Sequence, residues 1–495
     1  MKKISLLIMS SVIMHIAFSS VSATAGIKFD SSTQLKMPSD WTGNKNLRVM
    51  PYKNQSVDVP ILDLRYPHNE GYRNEDSVDV QTVNQKIASL GDNGIVLISG
   101  NVVFDDSLII GENQTLLGNG SLQIKTKSGN IITYIRKVPA MITNSSNSSV
   151  IKVASNTNIS GVTIKGGLEG ISSLNTSTNN ITTSNVSISD VDISATTGDG
   201  IRLDHTDGLS ISNSAIHDLS ICEDKTICEF SVLSPTIAPN AAISAIGSSN
   251  IIIDNVDIDS VTYGIFLANN FLKGNYDSDT NTYKNTTSNV TINNTKISNS
   301  RREGLLLVGN DGVTTNNLTI DNSHQVQDMD LVVLQASHDV TMNDTNLLGG
   351  VNGLMIVNSA TLPNFDGNDI SAADMTISDP SRSGVFINPA ATISLENVTV
   401  NNPGIAGLSL LGNEFGNEGL GAAVENMTLT NVQVNHPAKA AITFSGPMKN
   451  INGDVTTTQT EIACVNPSHL RQLEQDPDSI LTINGKVLAD LDDCD

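Results

Sequence analysis

Aromatic side chains make up 4% of this 495-residue chain, and tryptophan occurs once, at Trp41. Cysteine is almost as rare, with four residues. Charged residues reach only 16%, and the basic ones are outnumbered, 28 Lys and Arg against 51 Asp and Glu, for a formal net charge of −23. So few cations, with no Lys/Arg cluster among them, argue against nucleic acid as a partner. A hydrophobic share of 38% with so little charge excludes the core-poor composition of a disordered chain. Beyond residue 25 no apolar run is long enough for a spanning helix. What abounds is Ser, Thr, Asn and β-branched aliphatics. That mixture suits many short strands joined by polar turns, and it excludes a helical bundle.

Residues 1–25 read as a secretory signal of bacterial type. Lys2 and Lys3 supply the positive end, Ile4 to Phe18 a largely apolar run, and Ala23-Thr24-Ala25 the small-residue cleavage pattern. The run is short for a membrane anchor, and no Cys follows it to accept lipid. The sequence therefore predicts a secreted or periplasmic protein with no membrane span. In an oxidising compartment the four cysteines can pair, and proximity favours Cys222 with Cys228 and Cys464 with Cys494 among three connectivities.

From about residue 95 to 458 one phrase keeps returning. Asn or Asp leads into alternating apolar residues, a polar turn follows, and then a small residue precedes an apolar one. Asn185-Val-Ser-Ile-Ser-Asp-Val-Asp-Ile and Asn289-Val-Thr-Ile-Asn-Asn-Thr-Lys-Ile show its first half. Gly200-Ile201, Gly264-Ile265, Gly304-Leu305, Asp330-Leu331, Gly353-Leu354 and Gly384-Val385 show its second. The shortest spacings between these anchors are 22 and 23 residues. A period of that length, made of short strands and turns, predicts coils stacked into a parallel β-helix. One coil cannot bury its Ile, Val and Leu alone; a stack can. The recurrent Asn would form ladders, and Gly would supply the positive φ of tight corners.

The start of the stack adds to this. Apolar residues at 80, 83, 87 and 90 have helical spacing, and Gly94-Ile-Val-Leu-Ile-Ser-Gly, Asp106-Ser-Leu-Ile-Ile and Gln114-Thr-Leu-Leu-Gly-Asn-Gly follow. Over residues 80–458 the chain resembles the secreted right-handed parallel β-helix proteins of the pectate-lyase-like superfamily. The resemblance implies an all-β solenoid with an N-terminal capping helix. Residues 26–79 would then be an extension and residues 459–495 a C-terminal cap and tail, since an open sheet end invites aggregation. Members of that superfamily include lyases, hydrolases and epimerases of acidic polysaccharides, and also tailspikes and adhesins. Their specific motifs are missing here: there is no Arg-x-Pro-x-x-Arg, and Asp379-Pro380 is followed by Ser381-Arg382.

Candidate chemistry lies beside the anchors. Arg301-Arg302-Glu303 is the densest charge, with Glu303 as general acid or base, Arg302 beside it and Arg301 to hold a sugar carboxylate. Asp328, about one coil on, would supply a second carboxylate. Asp199, with Arg202 and His205 in Asp199-Gly-Ile-Arg-Leu-Asp-His, forms a second candidate, and Tyr263 and Phe266 offer aromatic contacts to a ligand. Asp277-Ser-Asp279-Thr-Asn281 begins like a calcium loop but has Thr282 where the turn glycine belongs, so calcium is the one cofactor the sequence leaves room for. Alternation after each anchor also points Phe266, Leu306, Val332, Met355 and Phe386 outward as an apolar ridge. Such a ridge needs a cover: the insert from Ala268 to Ser288, a terminal segment, or a second copy of the chain. Two functions fit: a polysaccharide-acting lyase or hydrolase, or a non-catalytic surface adhesin or scaffold.

Overall fold

The computed structural model describes residues 48–52, 61–65, 80–125, 131–136, 139–175, 180–222, 240–269, 276–277, 282–283, 286–324, 329–358, 368–412, 423–458, 464–465, 478–487 and 492–493. These are almost entirely strand. Twelve short strands, from Leu108–Ile110 to Ala440–Ser445, pair in parallel as one sheet. Opposite them runs a sheet of long strands such as Ser249–Val261, Ser288–Ser300 and Asp311–Asp321. Each coil contributes a rung to both sheets, and rungs lie about 4.8 Å apart.

The long strands turn a corner partway along. In Ser288–Ser300 the buried positions are 290, 292, 295, 297 and 300, so the alternation slips by one at Asn294. Asn294 has a φ of 49°, and the equivalent Asn317, Asn397 and Asn431 are also positive. Asparagine tolerates this left-handed conformation better than most residues. Its amide then bonds the neighbouring coil: Asn317 Nδ2 donates to Asn294 Oδ1 at 3.0 Å, and Asn431 Nδ2 to Asn397 Oδ1 at 2.8 Å. The expected ladders are present, and they sit at the exposed corners.

Glycine plays two parts: at corners such as Gly247, Gly309 and Gly446 it has the expected positive φ, 60°, 65° and 79°. The recurrent glycine before each short strand has no positive φ; it is there because there is no room. A Cβ on Gly200 would lie 2.6 Å from both Ala242 O and Ile216 Cγ2. Between the sheets, Ile201, Ile211, Ile216, Ile243, Ile253 and Ile258 are fully buried in a continuous aliphatic stack. Each fully buried side chain of this kind is worth about 1.5–3 kcal/mol of transfer free energy.

The predicted capping helix, α1, spans Val80–Ala88 and buries Val80, Val83 and Ile87 against the first coil. Asn84 ties it down, donating from Nδ2 to Ser107 O and accepting from Ile109 N, each at 2.9 Å. Before the helix, Ile61–Arg65 pairs in parallel with Ile95–Phe104. At the other end Ile480–Ile483 pairs in parallel with Met448–Thr457, and Lys486–Val487 turns back on it antiparallel. Strands therefore extend the long sheet past both expected limits of the stack. Cys222 is placed at the end of a coil, where its N–H donates to Thr262 Oγ1 at 2.9 Å. Cys228, Cys494 and the side chain of Cys464 lie outside the described residues, so both pairings stay proposals.

Candidate functional site

Register sorts the outer face of the short-strand sheet into columns. Ile171 pairs with Ile201, which pairs with Ile243, then Ile265, Leu305, Val332 and Leu354 follow in turn. Two positions before these inward residues stand Glu169, Asp199, Ala241, Tyr263, Glu303, Asp330 and Asn352. One position after them stand Ser172, Arg202, Ser244, Phe266, Leu306, Val333 and Met355.

This corrects one coil of the sequence reading. Leu331 occupies the glycine column, Val332 points inward, and the outward residue is Val333. The residue in register with Glu303 is accordingly Asp330. Asp328 lies outside the described residues, as do the side chains of the expected calcium loop. The apolar ridge exists with Val333 in place of Val332. Phe266, Leu306 and Val333 are 0%, 6% and 7% exposed in a cluster separate from the main core, so these three are covered without a second copy. Met355 and Phe386 are half-buried.

Two sets of functional side chains result. Around Tyr263, the Arg302 guanidinium lies 5.8 Å from the ring centroid, its Nε donates to the phenol oxygen at 3.3 Å, and Phe266 packs 6.2 Å away. Arg302 itself is buried, Arg301 and Glu303 are half-buried, and neither Tyr263 nor Phe266 leaves a ring face open to a ligand. One rung on, Asp330 Oδ1 accepts from Asn352 N and Nδ2 at 3.0 and 2.7 Å. Burial holds this carboxyl above its usual range despite those bonds and nearby Arg382.

The other set surrounds Asp199, which is wholly buried. Its Oδ1 accepts the Ala241 N–H at 2.6 Å, while Oδ2 has no partner. Burial pushes this carboxyl up to about 7, against the pull of Arg202 and the Ala241 amide and with help from Asp204 and Glu169. Arg202 Nε donates to Asp204 Oδ2 at 2.9 Å, and both side chains keep about a fifth of their surface in water, 19% and 22%. Burial pulls the Arg202 guanidinium down, but Asp204, Asp199 and Glu169 outweigh it. His205, at a positive φ of 52°, is held below its usual value by burial, with Asp204 opposing and Arg202 adding.

Four further residues join this set. Glu169 Oε2 accepts from Ser149 Oγ, which in turn accepts from Ser172 Oγ at 2.7 Å. Ser244, in register with Arg202, is fully buried with its hydroxyl unpartnered. The shared place of Glu169 and Asp199 just before Gly-Ile is the one feature of the sequence that links them. Among the described residues no group of His, Cys, Asp and Glu is arranged to hold a metal ion. A separate groove of about 580 Å³ opens on the long-strand sheet, lined by Asp190, Asp192, Asn255, Asp257 and Lys296.

A family model described as a right-handed beta helix region matches residues 241–429. The fold is a right-handed parallel β-helix. No curated protein matches the sequence. Among solved structures, the β-helix is similar to the catalytic domain of a GH87 alpha-1,3-glucanase in complex with tetrasaccharides, at 13% identity and a TM-score of 0.50, covering 87% of this chain and 69% of that one. It is similar also to PfbA, a surface protein and adhesin of Streptococcus pneumoniae, at 13% identity and a TM-score of 0.51, covering 76% and 98%. Among the described residues no helix is long and apolar enough to cross a membrane.

Proposed function

We propose that this β-helix is a secreted or periplasmic protein, released from a signal peptide at residues 1–25, that binds a polysaccharide and hydrolyses its glycosidic bonds at the Asp199 cluster. One observation carries the reading. Asp199 keeps its proton near neutral pH and has an oxygen with no partner, beside a cation and two further carboxyls. A glycosidic oxygen needs a proton as its bond breaks, and an acid titrating near the working pH is suited to give it. Arg202 and Asp204, beside Asp199, keep about a fifth of their side-chain surface exposed, 19% and 22%. The two similar structures carry one activity that cleaves a glycan and one that adheres, so the fold leaves the choice to the side chains.

The test is incubation with a panel of neutral and uronic-acid polysaccharides, reading reducing ends and the absorbance of unsaturated products. New reducing ends without unsaturation are expected, and Asp199→Asn should lower the rate at least about 100-fold. Unsaturated products would make the protein a lyase. Binding without cleavage would leave the adhesin or scaffold role.

A further inference from the structure

The cover over the short-strand sheet does not run its full length. Phe266, Leu306 and Val333 are buried, but Met355, Phe386, Ser409 and Thr443 follow them in the same column and are each partly open. Two residues further along the strands, Gln335, Val357, Asn388, Leu411 and Ser445 form a second partly open column on that face. None of these side chains is charged, on a chain whose net charge is −23. Phe104, Tyr263, Phe266 and Phe444 are buried, so among the described side chains Phe386 is the aromatic ring that keeps surface open.

The polar groups around that ring are of two kinds. Ser409 Oγ lies 2.8 Å from Ser383 Oγ and 2.9 Å from Thr443 Oγ1, so these hydroxyls bond one another. The side-chain amides of Gln335 and Asn388 have no hydrogen-bond partner among the described residues. Asn388 stands beside Phe386 on the strand Ser383–Asn388, and Gln335 is two rungs away, roughly 10 Å.

Size and charge select the occupant. Two columns over five rungs measure about 19 by 7 Å. A stable contact between proteins buries about 800 Å² on each side, so a second copy of the chain does not suit this patch. A sugar ring does: its C–H face can lie on the phenyl ring while its hydroxyls reach the amides at the side. A uronate carboxylate would find no cation here, and setting a charge against this surface unpaired is costly. We propose that this patch binds an uncharged polysaccharide, with one sugar ring on Phe386 and neighbouring hydroxyls on the Asn388 and Gln335 amides. The inference rests on the reading of the protein as one that binds a polysaccharide, and it narrows that polymer to a neutral one.

Affinity electrophoresis of the whole chain through gels holding a soluble glucan, mannan, galactan or polygalacturonate tests this without relying on turnover. At least one neutral polymer should retard the protein, and polygalacturonate should not. Phe386→Ala should weaken that binding at least about tenfold, and Phe386→Trp should keep it. Asn388→Asp keeps the side chain's shape but removes its N–H donors; it should melt like the wild type and bind about threefold more weakly or worse. Retardation by polygalacturonate alone would overturn the inference and leave the polysaccharide reading. Neutral-polymer binding unchanged in Phe386→Ala and Asn388→Asp would overturn it too, by placing the ligand elsewhere. Retardation by none of the four removes the polysaccharide reading and this inference together. Retardation through Phe386 without new reducing ends would uphold this inference and remove only the hydrolase.

Discussion

Two stretches of the same outer face, on the same backbone, have opposite chemistry. From Glu169 to Ser244 the outward side chains, Ala241 apart, are carboxyls, hydroxyls and Arg202, and two of them, Asp199 and Ser244, keep buried polar atoms without partners. From Tyr263 to Val333 the residues one position after the inward ones, Phe266, Leu306 and Val333, are aromatic or aliphatic and are sealed with Tyr263 into a second small core, while Glu303 and Asp330 stand in the column before. The rungs are equally regular in both. The β-helix therefore supplies spacing, and the choice of residue at two positions per coil decides between a satisfied contact and a waiting one. The apolar stretch contributes stability, while the polar stretch holds groups that destabilise the resting chain.

Stability measurements can break or sharpen that contrast. The largest effect belongs to the apolar stretch: Phe266→Ala should cost about 3–5 kcal/mol in denaturant unfolding, as for a core aromatic. A loss under about 1 kcal/mol would mean the ridge is not packed as described. Next comes the polar stretch, with the opposite sign. Asp199 holds its proton to about 7 in the folded chain but only to about 3.8 when unfolded. The native state thus binds more protons between those values, and wild-type stability falls as pH rises through that window. Asp199→Asn removes the penalty. It should match the wild type near pH 4 and exceed it above pH 7, by on the order of 2–4 kcal/mol, with higher Tm. Equal melting at pH 8 would show Asp199 to be better solvated than the geometry implies.

The smallest effect lies outside both stretches and serves as a control. His217 Nε2 bonds Asp192 Oδ1 at 2.9 Å and Nδ1 bonds Asp218 Oδ2 at 2.8 Å, two bonds that only the imidazolium can donate together. Asp218, against partial burial and with Asp192, holds the ring above its usual value. The stabilisation is therefore complete below about pH 6.5 and is lost as pH rises through the higher folded value. Since the pair is partly exposed, His217→Gln should cost only about 0.5 kcal/mol at pH 5.5 and nothing at pH 9.

The sequence carried the architecture because each coil repeats its signals every 22 or 23 residues at its shortest. Asn at the corners and Gly-Ile before the short strands made the rungs countable without any long-range information. The one slipped rung had a local cause. Leu331 fills a column that from Gly170 to Ala441 otherwise holds glycine or alanine, so Asp330-Leu331 imitates the small-then-apolar anchor and shifts the assignment by a residue. Register places Asp330, two residues beyond Asp328, level with Glu303. Asp199, Arg202 and His205 were visible as a charged run, but the reason to single out Asp199 was not. Its amide donor is Ala241, 42 residues away across an insert, and burial is a property of what stacks above and below. Glu169 was legible by its place before Gly-Ile, but its bond to Ser149 was not, since that arises from neighbours on other coils.

The Leu108–Ser445 sheet joins each coil chiefly to the ones before and after it, so the chain behaves as a row of linked segments in which melting is a front that travels. Fronts start at ends. The helix Val80–Ala88 closes one end with three buried side chains, whereas toward the other end the strand Ile480–Ile483 leaves Ile480 68% exposed. Fraying should therefore begin at the carboxyl-terminal end and reach the Glu169–Ser244 coils late. A partly unwound chain would keep its candidate site assembled after much of its length had opened.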